Sequence, residues 1–316
     1  MDQKILITGA LGYLGSRIAS AINISGRQVI LGVSHNNIAI VPKELNHLEI
    51  RRYDFSSIES CTNLCNGVDI VIHTSGLNSE ECFKSPSNAI IVNSLFTANL
   101  LEGIRYNQVS KFLYFSTAHV YSSEMNGHIN ETTNPQNPHP YATSHLSAEK
   151  IITWFGIQNK TATIILRLSN CFGKEIVQNS NCWNLFINDI CKQAITNKII
   201  KINSNPTTQR NFLPISELSN IILFLINTNV ITNQIVNVGN TQSMTLEGAV
   251  AFVNNRINYL YNYLPEIQFA YKGNEVAKQL DYSVNTLINL GYTYRNKMEF
   301  EVDELIKYIY HKLSND

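Results

Sequence analysis

The sequence predicts an α/β protein, a doubly wound parallel sheet followed by a smaller C-terminal lobe. Three observations predict it. Short β-rich runs alternate with longer helical patterns through the first half of the chain. Those runs are apolar throughout, as in ILIT at 5–8 and DIVIH at 69–73, which marks strands buried on both faces. The first of them runs straight into a glycine-spaced turn that opens a helix. At 316 residues the chain is too long for one small core and suits one large α/β unit or two joined domains.

Taken in order, strands are expected at 4–8, 28–33, 48–53, 69–73, 111–116 and 161–167. Helices are expected at 14–24, 87–105 and 141–157. β–α alternation of this kind implies right-handed crossovers. After Arg167 the texture changes to Asn-rich loops, with short strands at 199–202 and 235–238 and helices at 184–196, 216–226 and 246–256. This second part reads as a lobe set on the carboxyl edge of the sheet, where open α/β sheets bind ligands. Residues 1–167 then form one domain and 168–316 mainly the other, with the chain crossing between them more than once.

Composition excludes several function classes. Hydrophobic residues make up 44%, which is globular rather than disordered. The 24 Lys and Arg balance the 24 Asp and Glu, and a neutral chain lacks the basic face that a nucleic-acid binder needs. The most apolar run, 221–226, falls far short of the ~20 residues of a membrane span. The N-terminus enters a strand pattern at once without a signal-peptide core, so a cytoplasmic location is expected. Six scattered cysteines make no disulfide framework and read as reduced thiols. Neither they nor His47, His128, His139 and His311, placed in loops or at the tail, show metal-ligand spacing, so no metal is expected.

The opening turn reads Gly9-Ala10-Leu11-Gly12-Tyr13-Leu14-Gly15. Gly9 permits the tight strand-to-helix turn, Gly12 lets backbone approach a pyrophosphate, and Gly15 lets the helix pack close to the strand. Tyr13 and Leu14 open the helix, whose free N–H groups and positive dipole end suit phosphates. This is the signature of a Rossmann dinucleotide site. Such a site usually carries a carboxylate at the end of the second strand for the adenosine ribose. Here that strand ends Leu31-Gly32-Val33-Ser34-His35-Asn36, with no acid. Ser34 and His35 either face a 2′-phosphate, which favours NADP slightly over NAD, or are plain loop polars; the cofactor is NAD or NADP.

The fifth strand ends Ser116-Thr117-Ala118-His119-Val120-Tyr121, and a Pro-rich loop later delivers Tyr141-Ala142-Thr143-Ser144-His145 into a helix. Tyr141 and His145 lie one turn apart on one helix face. A hydroxyl at a strand end facing a tyrosine is a means of binding a carbonyl oxygen and passing it a proton.

With these motifs the chain resembles, over nearly its whole length, the extended short-chain dehydrogenase/reductases, in the branch of nucleotide-sugar epimerases, dehydratases and reductases. Further matches are Asp54-Phe55 after the third strand, His73-Thr74-Ser75-Gly76 after the fourth, Asn93 in a Val-Asn-Ser helix start, and Pro140-Tyr141. The resemblance implies that Asp54 and Phe55 meet the adenine, that Thr74, Ser75 and Gly76 lie along the dinucleotide, and that Asn93 belongs to the same site. It implies that Thr117 holds the substrate oxygen and Tyr141 exchanges its proton. It also implies a homodimer through the helices at 87–105 and 141–157.

One position departs from the family pattern Tyr-x-x-x-Lys: the lysine, which there holds the nicotinamide ribose and lowers the tyrosine pKa, is His145. An unperturbed imidazole is only about a quarter protonated at neutral pH, whereas an ammonium is fully charged. His145 can still hydrogen-bond a ribose hydroxyl, with less electrostatic help unless local charge keeps it protonated.

In the second lobe, Arg167-Leu168-Ser169-Asn170-Cys171-Phe172-Gly173 and Gln209-Arg210-Asn211-Phe212 match family segments in which the Asn and the Arg meet the nucleotide sugar. An Arg fork suits diphosphate oxygens. The plainer alternatives are a loop-capping role for Asn170 and an ion pair for Arg210. Ala118 and His119 stand where 4,6-dehydratases carry Asp-Glu, so dehydration is not expected; His119 is a substrate contact or a polar residue at the rim. The expected activity is 4-ketoreduction or 4-epimerisation of a nucleotide-activated sugar, in the supply of surface polysaccharide. The alternatives are a carbonyl reductase for a non-sugar ketone, and a dinucleotide-binding regulatory protein with little turnover.

Overall fold

The computed structural model describes residues 3–35, 40–178, 180–228, 233–273 and 275–315. Its strands are β1 (Lys4–Thr8), β2 (Gln28–Ser34), β3 (Glu49–Tyr53), β4 (Ile70–His73), β5 (Lys111–Thr117), β6 (Gly127–Ile129), β7 (Ala162–Leu168), β8 (Asn170–Phe172), β9 (Ile199–Ile202), β10 (Gln209–Pro214), β11 (Gln234–Val238), β12 (Ser243–Thr245), β13 (Glu266–Phe269) and β14 (Leu280–Tyr282). The α-helices are α1 (Tyr13–Ile24), α2 (Ile58–Leu64), α3 (Ser79–Lys84), α4 (Pro86–Ala89), α5 (Phe96–Arg105), α6 (Pro140–Gln158), α7 (Phe186–Asn197), α8 (Ile215–Asn227), α9 (Leu246–Tyr261), α10 (Asn285–Asn289) and α11 (Met298–Asn315).

Seven strands form one parallel sheet in the order β11-β7-β5-β4-β1-β2-β3. Order reverses between β1 and β4, so a crevice opens at their carboxyl ends. Helices α1 and α8 pack on one face, where Ile18 and Ile22 meet Leu218 and Ile222. Helices α2, α5 and α6 cover the other, through Leu64, Leu100, Ile104 and Ile152. The strands are buried on both faces because each is sandwiched between these layers, which is why ILIT and IVIH carry no polar alternation.

The structure corrects three expectations. The strand at 235–238 belongs to the main sheet, as β11 beside β7, not to the second lobe; it pairs in register from Gln234–Ile164 to Val238–Leu168. The helix expected at 87–105 is present but not uniformly α: a π-helical turn, Ile90–Leu95, joins α4 to α5 without a break in the helix. His128 lies in strand β6, not in a loop, and His311 in helix α11. The smaller lobe has its own core, in which α7, α9 and α11 meet through Ile190, Ala194, Val250, Val253, Val302 and Leu305. No helix among the described residues is long and apolar enough to cross a membrane.

Candidate active site

The glycine turn is built as its spacing requires. Gly9 adopts φ +69°, which a side chain would strain, and a Cβ there would meet the Ser75 backbone nitrogen at 2.9 Å. A Cβ on Gly15 would lie 2.2 Å from the Gly9 carbonyl oxygen, so only glycine lets α1 start this close to β1. Gly12 is the N-cap of α1 and no side chain caps the helix, nor does an acid occupy its first turn. The first N–H groups are therefore free to take an anion. This bare, glycine-walled helix end fits the diphosphate of a dinucleotide, and it opens on a cavity of about 450 Å³.

That cavity brings together most of the residues singled out from the sequence: Gly9, Gly12, Tyr13, Leu14, Gly15, Thr74, Ser75, Gly76, Thr117, His119, Tyr141, His145 and Asn170. Tyr13 also donates its hydroxyl to the Gly173 carbonyl (2.8 Å), tying the start of α1 to the second lobe. Thr74 donates to the Thr8 carbonyl at 2.7 Å, and Ser75 Oγ lies 2.7 Å from the Tyr53 hydroxyl.

Other assigned residues stand off the cavity. Asn93 is buried behind the Thr74–Leu77 loop: its Oδ1 accepts the Leu77 N–H (2.8 Å) and its Nδ2 donates to Ser144 Oγ (3.0 Å). It braces the cavity wall against α6 and does not line the cavity. The neighbouring Ser94 donates to the Ser144 carbonyl at 2.8 Å, and the π turn brings both side chains to the same helix. Phe55 is buried, with its ring stacked on Tyr53 at 3.9 Å between centroids. Asp54 is exposed, and hydrogen bonds from Ser56 hold its pKa below the ordinary carboxylate value. Ser34 closes β2; His35 follows it and lines a separate shallow depression with Arg51 and Arg52. Asn36 lies outside the described residues.

At the floor of the cavity the chemistry-bearing side chains are close packed. The Tyr141 ring meets His145 edge to face with centroids 4.6 Å apart, and the His119 ring centroid lies 6.5 Å from it. Burial raises the Tyr141 pKa above its ordinary value, and a side-chain hydrogen bond with Thr117 partly offsets the rise. Burial drives His145 the other way, down to about 4, so its imidazole is neutral at pH 7. One turn beyond it, buried Glu149 is neutralised by Arg167 at 2.6 Å and accepts from Ser116 at 2.5 Å. Among the described residues no charge keeps either group ionised: no acid faces the imidazole to retain its proton, and no cation stands beside the phenol to favour a phenolate.

His119 and Asn170 join this cavity to a larger one of about 790 Å³ on the second lobe, lined also by Arg210, Gln209, Asn205, Tyr271, Glu275 and Lys278. Burial lowers the pKa of Arg210, and no carboxylate among the described residues offsets that; its guanidinium lies over the Phe186 ring at 5.7 Å. The ion-pair alternative for Arg210 is thus not what the structure shows. Asn170 does hold structure, donating Nδ2 to the Asn211 carbonyl at 3.1 Å, yet it faces both cavities. Burial, then Arg210 and His139, lower the His119 pKa.

Sequence reasoning missed Tyr114, whose hydroxyl lies 2.8 Å from His145 Nδ1, because a tyrosine inside a fully buried strand looks like core. It also missed Tyr271 and residues 275–278 of the larger cavity, which carry no motif.

Comparison with known proteins agrees with this architecture. The chain is 28% identical over 238 residues to a dTDP-D-glucose 4,6-dehydratase of Dictyostelium discoideum, covering 68% of this chain and 54% of the relative. It is 30% identical over 178 residues to a GDP-6-deoxy-D-mannose reductase of Pseudomonas aeruginosa, covering 55% and 54%. The chain thus spans about half the length of these two curated relatives. Among solved structures, a UDP-N-acetylglucosamine 4-epimerase from Methanobrevibacter ruminantium superposes with a TM-score of 0.84 at 20% identity, covering 98% of this chain and 99% of that one. RMD from Pseudomonas aeruginosa, complexed with NADPH, superposes at 0.80 with 20% identity, covering 98% and 99%. Residues 5–239 match the NAD dependent epimerase/dehydratase family, and with the glycine turn, the seven-stranded sheet and the two joined cavities this places the chain as a member of that family.

Proposed function

We propose that this protein is a 4-ketoreductase of a nucleotide-activated sugar, with NADP(H) preferred over NAD(H). The observation that carries the reading is the state of Tyr141. Half-buried at the cavity floor, hydrogen-bonded to Thr117 and with no cation among the described residues acting on it, its phenol stays protonated at neutral pH because desolvation raises its pKa. A protonated phenol can give its proton to the oxygen of a ketone as that oxygen gains negative charge; it is a poor acceptor for the proton of an alcohol. Reduction needs the first and the opening step of epimerisation needs the second, so the site is set for reduction.

In this reading the bound nicotinamide cofactor supplies the hydride. Thr117 and Tyr141 hold the carbonyl oxygen from one side, which fixes its distance and orientation. His145 turns an uncharged ring nitrogen to the cofactor ribose. Asn170 and Arg210 reach the sugar diphosphate, whose negative charge compensates the half-buried guanidinium. That these two side chains line the larger cavity supports a nucleotide sugar over a small ketone. For the cofactor, β2 ends without a carboxylate, and Arg52 donates to the Ser34 carbonyl at 3.4 Å, which brings a cation to the corner where a 2′-phosphate would sit.

The test is oxidation of NADPH by the purified protein in the presence of UDP-, GDP- and dTDP-linked 4-keto sugars, with products identified by NMR. Turnover with at least one is expected, and Tyr141→Phe should lower kcat by a factor of ~10² to 10⁴ while leaving NADPH affinity unchanged. Unchanged turnover in Tyr141→Phe would remove the proton donor from this account.

A further inference from the structure

His145 and Tyr114 come from different elements, the second turn of α6 and the middle of β5, and meet in the core with Tyr114 Oη 2.8 Å from His145 Nδ1. Tyr114 is 1% exposed and lies among Phe112, Leu100, Ala148 and Ile152. Its hydroxyl has no second hydrogen-bond partner among the described residues. If His145 donated from Nδ1, the buried phenolic hydrogen would be left without an acceptor, an unsatisfied donor that folding disfavours. Tyr114 therefore donates and Nδ1 accepts. A neutral imidazole carries one N–H, which is then on Nε2.

The groups packed around the ring leave it neutral. On β4, His73 stacks on Tyr114 with centroids 5.8 Å apart. The Thr97 hydroxyl donates to the Asn93 carbonyl at 2.8 Å, so it accepts from His73 Nε2 at 3.1 Å, while the Thr8 hydroxyl lies at 2.6 Å from Nδ1 to donate there. His73 is thus uncharged as well, and burial lowers its pKa to about 3. On α6, Tyr141 is protonated and Glu149 is spent on Arg167. Nothing among the described residues that faces His145 favours an imidazolium.

We propose that Tyr114 is a positioning residue: by donating to Nδ1 it locks His145 as the neutral Nε2–H tautomer, so that a Tyr–His pair presents to the cavity one uncharged N–H donor for a ribose hydroxyl of the dinucleotide. The inference rests on the reading of this cavity as the hydride-transfer site and adds how the histidine does its part. With lysine at position 145 the pair would be unnecessary, because an ammonium has donors in every rotamer.

Two measurements test it. In protein labelled with ¹⁵N-histidine, with His145 assigned by comparison with His145→Gln, the side chain is expected as a neutral Nε2–H imidazole from pH 7 down to about pH 5. Titration with NADPH should show Tyr114→Phe binding about five- to tenfold more weakly, with both tautomers now populated, and no such effect of Tyr114→Phe in a His145→Lys background. An Nδ1–H tautomer or an imidazolium at pH 7 overturns the proposal, as does a Tyr114→Phe protein with unchanged tautomer and affinity. The tautomer is read without turnover, so its failure is distinct from a failure to reduce any keto sugar, which would strike the proposed activity instead.

Discussion

Tyr141 and His145 share one face of α6, ring against ring at 4.6 Å, and no cation among the described residues acts on either. A phenol flanked by an ammonium is pulled toward ionisation; a phenol flanked by a neutral imidazole is not. On the reading proposed above, the histidine in place of a lysine at this turn decides which direction of proton transfer the site favours. The imidazole itself is held by a hydroxyl from the neighbouring strand, that of Tyr114.

The most direct consequence concerns His145→Lys. Introducing the ammonium should lower the Tyr141 pKa and let the phenol accept a proton at lower pH. Oxidation of the sugar alcohol is expected to rise about tenfold at pH 7, its pH–rate profile moving down by about one unit, while ketone reduction changes little. Profiles of both directions for wild type and variant check this, and coincident oxidation profiles would contradict it.

Gly15→Ala should cost the protein its cofactor before its fold. The added Cβ would stand 2.2 Å from the Gly9 carbonyl oxygen and 2.8 Å from Thr74 Oγ1, so α1 must move outward. Overpacking of this kind costs ~1–3 kcal/mol, and the displaced helix end no longer meets the diphosphate. The expected result is a modest loss in urea stability with NADPH binding reduced at least tenfold, read by calorimetry.

Acid should destabilise the fold early. His145 and His73 have folded pKa values of about 4 and about 3, below the ordinary value of 6.5 that they regain on unfolding. Below pH 6.5 the unfolded chain binds protons that the folded chain refuses, so stability falls as pH drops from there toward 4, with a slope approaching ~2.7 kcal/mol per pH unit if both act alone. Urea midpoints at neutral pH and at pH about 5 measure it. Equal midpoints would show that neither ring is neutral because it is buried.

Association is the fourth expectation. On the π turn, Ile91 and Leu95 stand exposed, as do Trp154 and Ile157 on the adjoining α6. Sedimentation is expected to give a homodimer at micromolar concentration, and Trp154→Glu with Leu95→Glu a monomer that still binds NADPH.

What was legible in the sequence is what local physics decides. The Gly9–Gly15 turn could be read because each glycine answers a backbone demand within a few residues, and the strands of the first half because burial on both faces leaves a uniform apolar run. The partner of a strand is not written in it: Gln234–Val238 looks alike on either lobe, and only its ladder to β7 places it. The π turn at Ile90–Leu95 escaped a periodic reading because its cause is tertiary, the grip of Asn93 and Ser94 on Ser144. Helix α11 did carry a readable signal, with Val302, Leu305, Ile306 and Ile309 at helical spacing. Tyr141, Thr117 and His145, singled out by a strand-end hydroxyl, helical spacing and the family resemblance, line one cavity, whereas Tyr114 needed coordinates, since its meaning lies in a contact 31 positions away.

The late arrival of β11 has a consequence for biosynthesis. Until Gln234–Val238 has left the ribosome, β7 is a bare sheet margin with open backbone groups, and α8, which seals the same layer, is barely complete. A nascent chain ending near residue 167 would carry the whole glycine turn yet expose that margin to other chains, the situation in which partly made proteins stick together. Dinucleotide capture by the growing polypeptide should therefore begin only after Val238 has been added, and a gene cut at the apparent lobe boundary should give aggregates in place of a small nucleotide-binding protein.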